Sequence, residues 1–173
     1  MIVFLVAALL SLHADPPALC TRLLPGRLMH ILEKIYPSYE LARKTEEPAP
    51  GVENDVPSCR GNAIDDFDGD GQQDYGVLLR RKGESAVRVV VALNRGRRYK
   101  VRTLGEWDGE PSDQYIDVIE PGEYESIETD TAEPGEVSEI SSRYPGVITG
   151  TEESSGVAYF YKEGKWVHLW LSD

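Results

Sequence analysis

Four aspartates lie within nine residues, Asp-Phe-Asp-Gly-Asp-Gly-Gln-Gln-Asp at positions 66–74, a segment that we call the aspartate loop. Carboxylates this close together repel one another strongly unless a cation lies between them. Calcium takes about six to eight oxygen ligands, and Gly71, at the sixth position, permits the sharp turn that folds such ligands inward. The spacing therefore predicts one calcium ion, held by the carboxylates of Asp66, Asp68, Asp70 and Asp74 and by the backbone carbonyl of Gln72.

The residues around the loop distinguish it from an EF-hand. A sensor EF-hand carries a bidentate Glu at position 12, where this chain has Val77 inside a strand pattern, and no helical pattern flanks the loop. The loop instead resembles the calcium loop of FG-GAP and VCBS-type β-propeller repeats, Asp-x-Asp-x-Asp-Gly-x-x-Asp followed by an apolar strand, here residues 75–79. That family stacks several repeats into a propeller. Because this chain has one copy, the resemblance implies a structural calcium ion and no propeller.

Other side chains with catalytic potential have no evident partners in the sequence. Beyond the first fourteen residues the histidines are His30 and His168, and no Gly-x-Ser-x-Gly nucleophile motif is present. Paired carboxylates can hydrolyse glycosides, but a run of charges in a loop is typical of a solvated surface. The run in question contains Glu123, Glu125, Glu128 and Asp130. We therefore predict a protein without catalytic activity, with a small hydrolase that uses carboxylates as an alternative.

The last predicted hairpin is rich in aromatic residues. An exposed aromatic strip there would bind a protein or glycan partner, whereas the same side chains could instead pack across the strands in the core. The strip consists of Tyr159, Tyr161, Trp166 and Trp170. The sequence leaves both interpretations open.

The chain length predicts one domain, residues 15–173. Hydrophobic periodicity predicts that this domain is mainly β (α+β), an antiparallel sheet with one N-terminal helix and a calcium-binding loop before the first central strand. Apolar residues three and four apart place one helix within 19–41, starting near Pro25 and stopped by Pro37. The composition of residues 44–58 predicts a loop. Alternating patterns predict antiparallel strands, with the Val-rich segment 86–93 buried on both faces. The segments are the loop region 59–74, a meander at 75–104, an acidic loop at 120–142 and a hairpin at 157–171.

Charge and the N-terminus predict the setting of the protein. The net charge is −12, and residues 105–173 hold three Lys or Arg against seventeen Asp or Glu. Such a chain repels phosphate backbones, so nucleic acid is not an expected partner. Residues 1–14 are apolar, uncharged and too short to span a membrane, and they resemble a secretory signal peptide. In an oxidising compartment Cys20 and Cys59 would form a disulfide.

Together these features predict an exported, periplasmic or extracellular, calcium-binding protein that serves as an interaction or structural module. Its small size and acidity also suit a periplasmic inhibitor or immunity protein that acts against a basic enzyme. Gene neighbours that encode a toxin or an enzyme would favour this second hypothesis.

Overall fold

The computed structural model describes residues 24–42, 61–109, 114–128, 133–151 and 156–171. The predicted signal peptide at 1–14, both cysteines of the predicted disulfide and the whole of the predicted loop at 44–58 lie outside these ranges. No helix in the described part of the chain is long and apolar enough to cross a membrane.

The predicted helix, α1, spans Gly26–Ile35. Pro25 precedes it, and the Pro25 carbonyl accepts the amides of Leu28 and Met29. A proline suits this position because the first helical turn needs no donor from it. The helix confirms the predicted start near Pro25 and stop before Pro37, and it fills only part of the 19–41 segment, since Tyr39–Leu41 form a short strand.

The first sheet confirms the predicted meander. It runs in the order β1-β3-β4-β5, all antiparallel, and β2 pairs with the same edge of β3 as β1. Strand β2 lies in the segment that the sequence assigned to the loop region. The strands are β1 (Tyr39–Leu41), β2 (Asn62–Asp65), β3 (Asp74–Arg81), β4 (Ala86–Asn94) and β5 (Tyr99–Asp108).

The second sheet has the order β11-β10-β9-β6 and contains the predicted C-terminal hairpin. The acidic segment 120–142 is not loop throughout, because β7 and β8 form a two-stranded third sheet near its two ends. These strands are β6 (Gln114–Ile119), β7 (Gly122–Glu125), β8 (Glu139–Ser142), β9 (Gly146–Thr151), β10 (Gly156–Lys162) and β11 (Lys165–Leu171).

The helix and the three sheets form layers, with an apolar cluster between each pair of neighbouring layers. Leu28 and Leu32 of α1 pack with Val90 and Ala92 on one face of β4. The opposite face of β4 packs against the second sheet, through Val87, Val89, Val91, Leu93, Ile116 and Val147. The far face of the second sheet is covered by the third, where Tyr124 stacks on Phe160 at 5.3 Å between ring centroids. The mainly β prediction is confirmed, and β4 is buried on both faces as its valines indicate.

Candidate metal centre

The aspartate loop connects two paired strands. Asp65, the last residue of β2, lies opposite Asp74, the first residue of β3, so residues 66–73 close a hairpin. The hairpin returns the end of the loop to its start. It therefore brings Asp66 and Asp74 together although they are eight positions apart.

Asp66 organises the turn from its first position. One of its carboxylate oxygens, Oδ1, accepts the amides of Gly69 at 2.8 Å and Asp70 at 3.1 Å, and Oδ2 accepts the Gly71 amide at 2.8 Å. An aspartate that accepts backbone amides of the following residues stabilises a tight turn. Gly71 has a φ of 80°, in the left-handed region that glycine adopts without strain.

Asp74 is fully buried at the base of the loop. Its Oδ2 accepts the Phe67 amide at 3.1 Å, and its Oδ1 accepts the Asn94 amide at 2.6 Å. Burial raises its pKa to about 7, with a further rise from the charges of Asp68 and Asp70, while the two amides act in the opposite direction. A carboxyl group with this pKa ionises readily once a cation is bound beside it.

Asp68 completes a cluster of three carboxylates. One oxygen each from Asp66, Asp68 and Asp74 lie within 4.8 Å of one another, a separation that one ion can bridge. The Asp68 side chain is 3% exposed, and its Oδ1 is buried without a hydrogen-bond partner. A buried acceptor without a partner costs about 1–3 kcal/mol, and more when it is charged. A cation at the cluster would satisfy it.

Asp70 and Gln72 lie beside the cluster. Asp70 accepts the Gln72 backbone amide at 2.9 Å and the Gln72 side-chain amide at 3.2 Å. Arg95, in the turn between β4 and β5, pairs with Asp70 at 2.5 Å and also with Asp68. Its guanidinium therefore already neutralises part of the charge that a metal ion would meet.

The loop is held against the protein by aromatic rings. Phe67 is fully buried and meets Trp166 edge to face at 6.3 Å between centroids. The Tyr144 ring covers Gly69 so closely that a Cβ there would lie 2.1 Å from it, and the φ of Gly69 is 74°. These contacts fix the position of the loop between the first and second sheets.

The sequence predicted the aspartates but missed three of their neighbours. Arg95, the amide of Asn94 and Tyr144 come from other parts of the chain. The turn containing Asn94 and Arg95 is evident in the sequence, and a cationic side chain there is the one signal that could have suggested a counter-charge. Nothing local indicates that this turn meets the loop.

Within the described ranges, the other chemically active side chains form no second acidic centre of this kind. Among the described residues, the aspartate loop holds the one group of three His, Cys, Asp or Glu side chains with ligand atoms close enough for one ion. His30 is exposed, as are Glu123, Glu125 and Glu128 of the acidic segment, while Asp130 lies outside the described residues. His168 is half-buried and packs on Tyr159 at 5.5 Å between ring centroids.

The aromatic strip of the last hairpin is not an exposed surface. Tyr159 is 6% exposed, and Tyr161, Trp166 and Trp170 are half-buried. Tyr161 and Trp166 pack against the core between the first and second sheets, because their side of the second sheet faces the first. Core packing therefore accounts for Tyr161 and Trp166 without a binding partner. Tyr159 and Trp170 border a cleft that is described below.

No protein-family model, curated protein or solved structure matches this chain.

Proposed function

We propose that the aspartate loop binds one calcium ion and that the chain is an exported, non-enzymatic interaction or structural module built around it. Asp66, Asp68 and Asp74 supply carboxylate oxygens, with Asp70 and the Gln72 carbonyl as the remaining protein ligands. The resemblance to FG-GAP and VCBS-type calcium loops supports the same assignment, since an apolar strand, β3, follows the loop.

The observation that carries this proposal is the buried Asp68 oxygen. It lies without a partner beside a second carboxylate, that of Asp74, which is itself fully buried. Burying like charges side by side is strongly unfavourable unless a cation compensates them. Arg95 pairs with the other Asp68 oxygen and leaves this one unsatisfied.

The chemistry of the donors favours calcium over other metals. The cluster contains only carboxylates, with no histidine or cysteine, so it lacks the nitrogen and sulfur ligands typical of zinc sites. Magnesium usually retains several waters and takes only one or two carboxylates. Calcium accepts a larger and less regular shell of carboxylates and carbonyls.

A bound ion would fasten three parts of the first sheet to one another. Asp66 follows β2 and Asp74 begins β3. Asn94 is the last residue of β4, and its backbone amide donates to Asp74. This arrangement suits a structural ion. The partner remains a protein or a glycan in the proposal, with a basic enzyme as the alternative target because of the acidic charge of residues 105–173.

Isothermal titration calorimetry of the full chain with calcium tests the site. We expect one ion per chain, and an Asp68→Asn variant that binds at least about tenfold more weakly because a ligand charge is lost. Asp108→Asn is the matched control, since Asp108 is exposed and lies outside the loop. Equal affinity in the two variants would contradict the proposal, as would identical melting temperatures of the unmutated chain in calcium and in chelator.

Export and the disulfide require their own measurement. Fractionation of cells that express the chain with and without residues 1–14 tests the predicted signal peptide. Mass spectrometry after alkylation tests whether Cys20 and Cys59 are joined. Retention of the intact chain in the cytoplasm would remove the exported setting without affecting the calcium site.

A further inference from the structure

A cleft of about 490 Å³ lies between β5 of the first sheet and the adjoining face of the second sheet. That volume falls in the range of small-molecule sites, which is roughly 300–1,000 Å³. Four aromatic side chains border it, those of Trp107, Tyr159, His168 and Trp170. The cleft is remote in sequence from the aspartate loop, and no residue of that loop lines it.

An irregularity in β5 shapes the cleft. The pairing of β4 with β5 shifts between Val89 and Val90, which leaves Leu104 as an extra residue. The next residue, Gly105, lies on the floor, where a Cβ would be 2.5 Å from the Trp107 ring and 2.9 Å from the Tyr159 hydroxyl. The bulge and the glycine together let both rings approach the same point. Bulges of this kind are frequent beside functional sites.

The polar groups of the cleft are mostly satisfied within the protein. The Trp107 indole donates to Gln114 Oε1 at 3.0 Å, and Gln114 Nε2 donates to Thr151 at 3.2 Å. Thr149, also in the lining, donates to the Tyr115 carbonyl at 2.7 Å. A sugar, which carries many hydroxyls, would therefore find few free partners here.

The charge of the cleft favours a positive ligand. No lysine or arginine is among the described lining residues, and the Glu133 carboxylate, whose side chain is 74% exposed, lies 3.9 Å from His168 Nε2. Glu106, the other carboxylate of the lining, is paired with Arg81 and Arg88. Burial raises the pKa of Tyr159 to about 12, and the nearby Glu133 charge acts in the same direction. Cations bind well over aromatic faces, and quaternary ammonium groups are the best-known ligands of such sites.

We propose that this cleft binds a small organic cation with an alkylammonium head, held against the rings of Trp107 and Trp170 and balanced by Glu133. The inference stands on the cleft alone and does not depend on calcium binding at the aspartate loop.

The test measures binding of choline to the full chain by calorimetry. Its neutral isostere 3,3-dimethylbutan-1-ol has the same shape without the charge, and methyl glucoside represents the sugars. We expect choline to bind and both neutral compounds to bind at least about tenfold more weakly, because the ring faces attract charge. Spermidine as a further ligand tests whether primary and secondary ammonium groups also bind.

Two variants assign the binding to the cleft. Trp170→Ala should weaken choline binding by about tenfold, because one ring face is lost. Glu133→Gln should weaken it by only about threefold, because the Glu133 carboxylate is largely solvated. The controls are Trp166→Ala, on the same strand but outside the cleft, and Glu163→Gln in an exposed turn. If Trp170→Ala does not fold, Glu133→Gln still tests the proposal, because it removes an exposed charge and no buried side chain.

Three results would overturn the proposal. The first is no choline binding at millimolar concentration, and the second is binding of the neutral isostere as tightly as choline. The third is choline binding that is unaffected by Glu133→Gln and Trp170→Ala. Preferential binding of methyl glucoside would assign the cleft to sugars instead.

Discussion

Calcium binding at the aspartate loop should release close to one proton below neutral pH, because Asp74 must ionise to become a ligand. Its pKa in the folded protein is about 7, against an ordinary value of 3.8. Metal ligands bind in their deprotonated form, so protons and calcium compete for this carboxylate. The perturbation is therefore a change of pH between 6 and 8 at constant ionic strength.

The magnitude follows from the pKa. At about pH 6 roughly nine in ten Asp74 side chains are protonated, and at about pH 8 roughly one in ten is. Calcium should therefore bind about tenfold more weakly at pH 6 than at pH 8, with a release of about 0.9 proton per ion at the lower pH.

Without calcium the same group makes the folded state less stable as the pH rises. The folded protein holds the Asp74 proton more tightly than the unfolded chain does. Its stabilising contribution is therefore complete below about pH 4 and is lost as the pH rises through about 7. The resulting fall in the free energy of unfolding is on the order of 4 kcal/mol at most. Saturating calcium should remove this loss.

Calorimetry at pH 6 in two buffers of different ionisation enthalpy counts the protons, since the apparent binding enthalpies differ by the number of protons released multiplied by the difference in buffer ionisation enthalpy. Asp108→Asn should preserve the pH dependence, because its side chain lies outside the loop. A dissociation constant that is unchanged from pH 6 to pH 8, together with no proton release, would refute the role of Asp74 as a ligand.

Four further substitutions test the loop and its supports. Arg95→Ala should raise calcium affinity severalfold in titrations, because the guanidinium no longer competes for Asp68, while urea unfolding in chelator shows a loss of about 1–3 kcal/mol. Gly71→Ala should cost roughly 1–2 kcal/mol, because it places a side chain on left-handed backbone. Gly69→Ala should cost more, because of these two glycines only Gly69 lies against an aromatic ring, that of Tyr144. Equal losses of the two variants in urea unfolding would contradict this. Phe67→Ala should cost about 3–5 kcal/mol in the same assay, and a loss below about 1 kcal/mol would show that the ring does not anchor the loop.

Sequence patterns predicted the parts of the fold that depend on local alternation. The valines of β4 indicated a central strand, and short turns indicated the meander and the last hairpin. Strand β2 escaped this reasoning because Asn62–Asp65 is short and only partly apolar. Its extended conformation depends on pairing with β3, which is a tertiary interaction.

The same distinction applies to the site and to the aromatic strip. The aspartates and Gly71 carry their signal in their spacing, whereas Arg95 reaches Asp68 from 27 residues away. The hairpin pattern placed Tyr161 and Trp166 on one side of the second sheet but could not tell which side faces the first. That depends on the third sheet, whose Ile140 and Tyr124 cover the opposite side.

Strands β1 and β2 lie end to end along one edge of β3. At their junction the Leu78 amide donates to the Gly61 carbonyl at 3.0 Å, and the Leu78 carbonyl accepts the Ala42 amide at 2.9 Å. An apolar strand with an open edge is a template for pairing with another chain, and so a route to aggregation. Because the cover consists of two separate pieces, fraying of either one leaves only a short stretch of β3 unpaired. Two short edge strands therefore offer a second molecule a less continuous template than one long strand would.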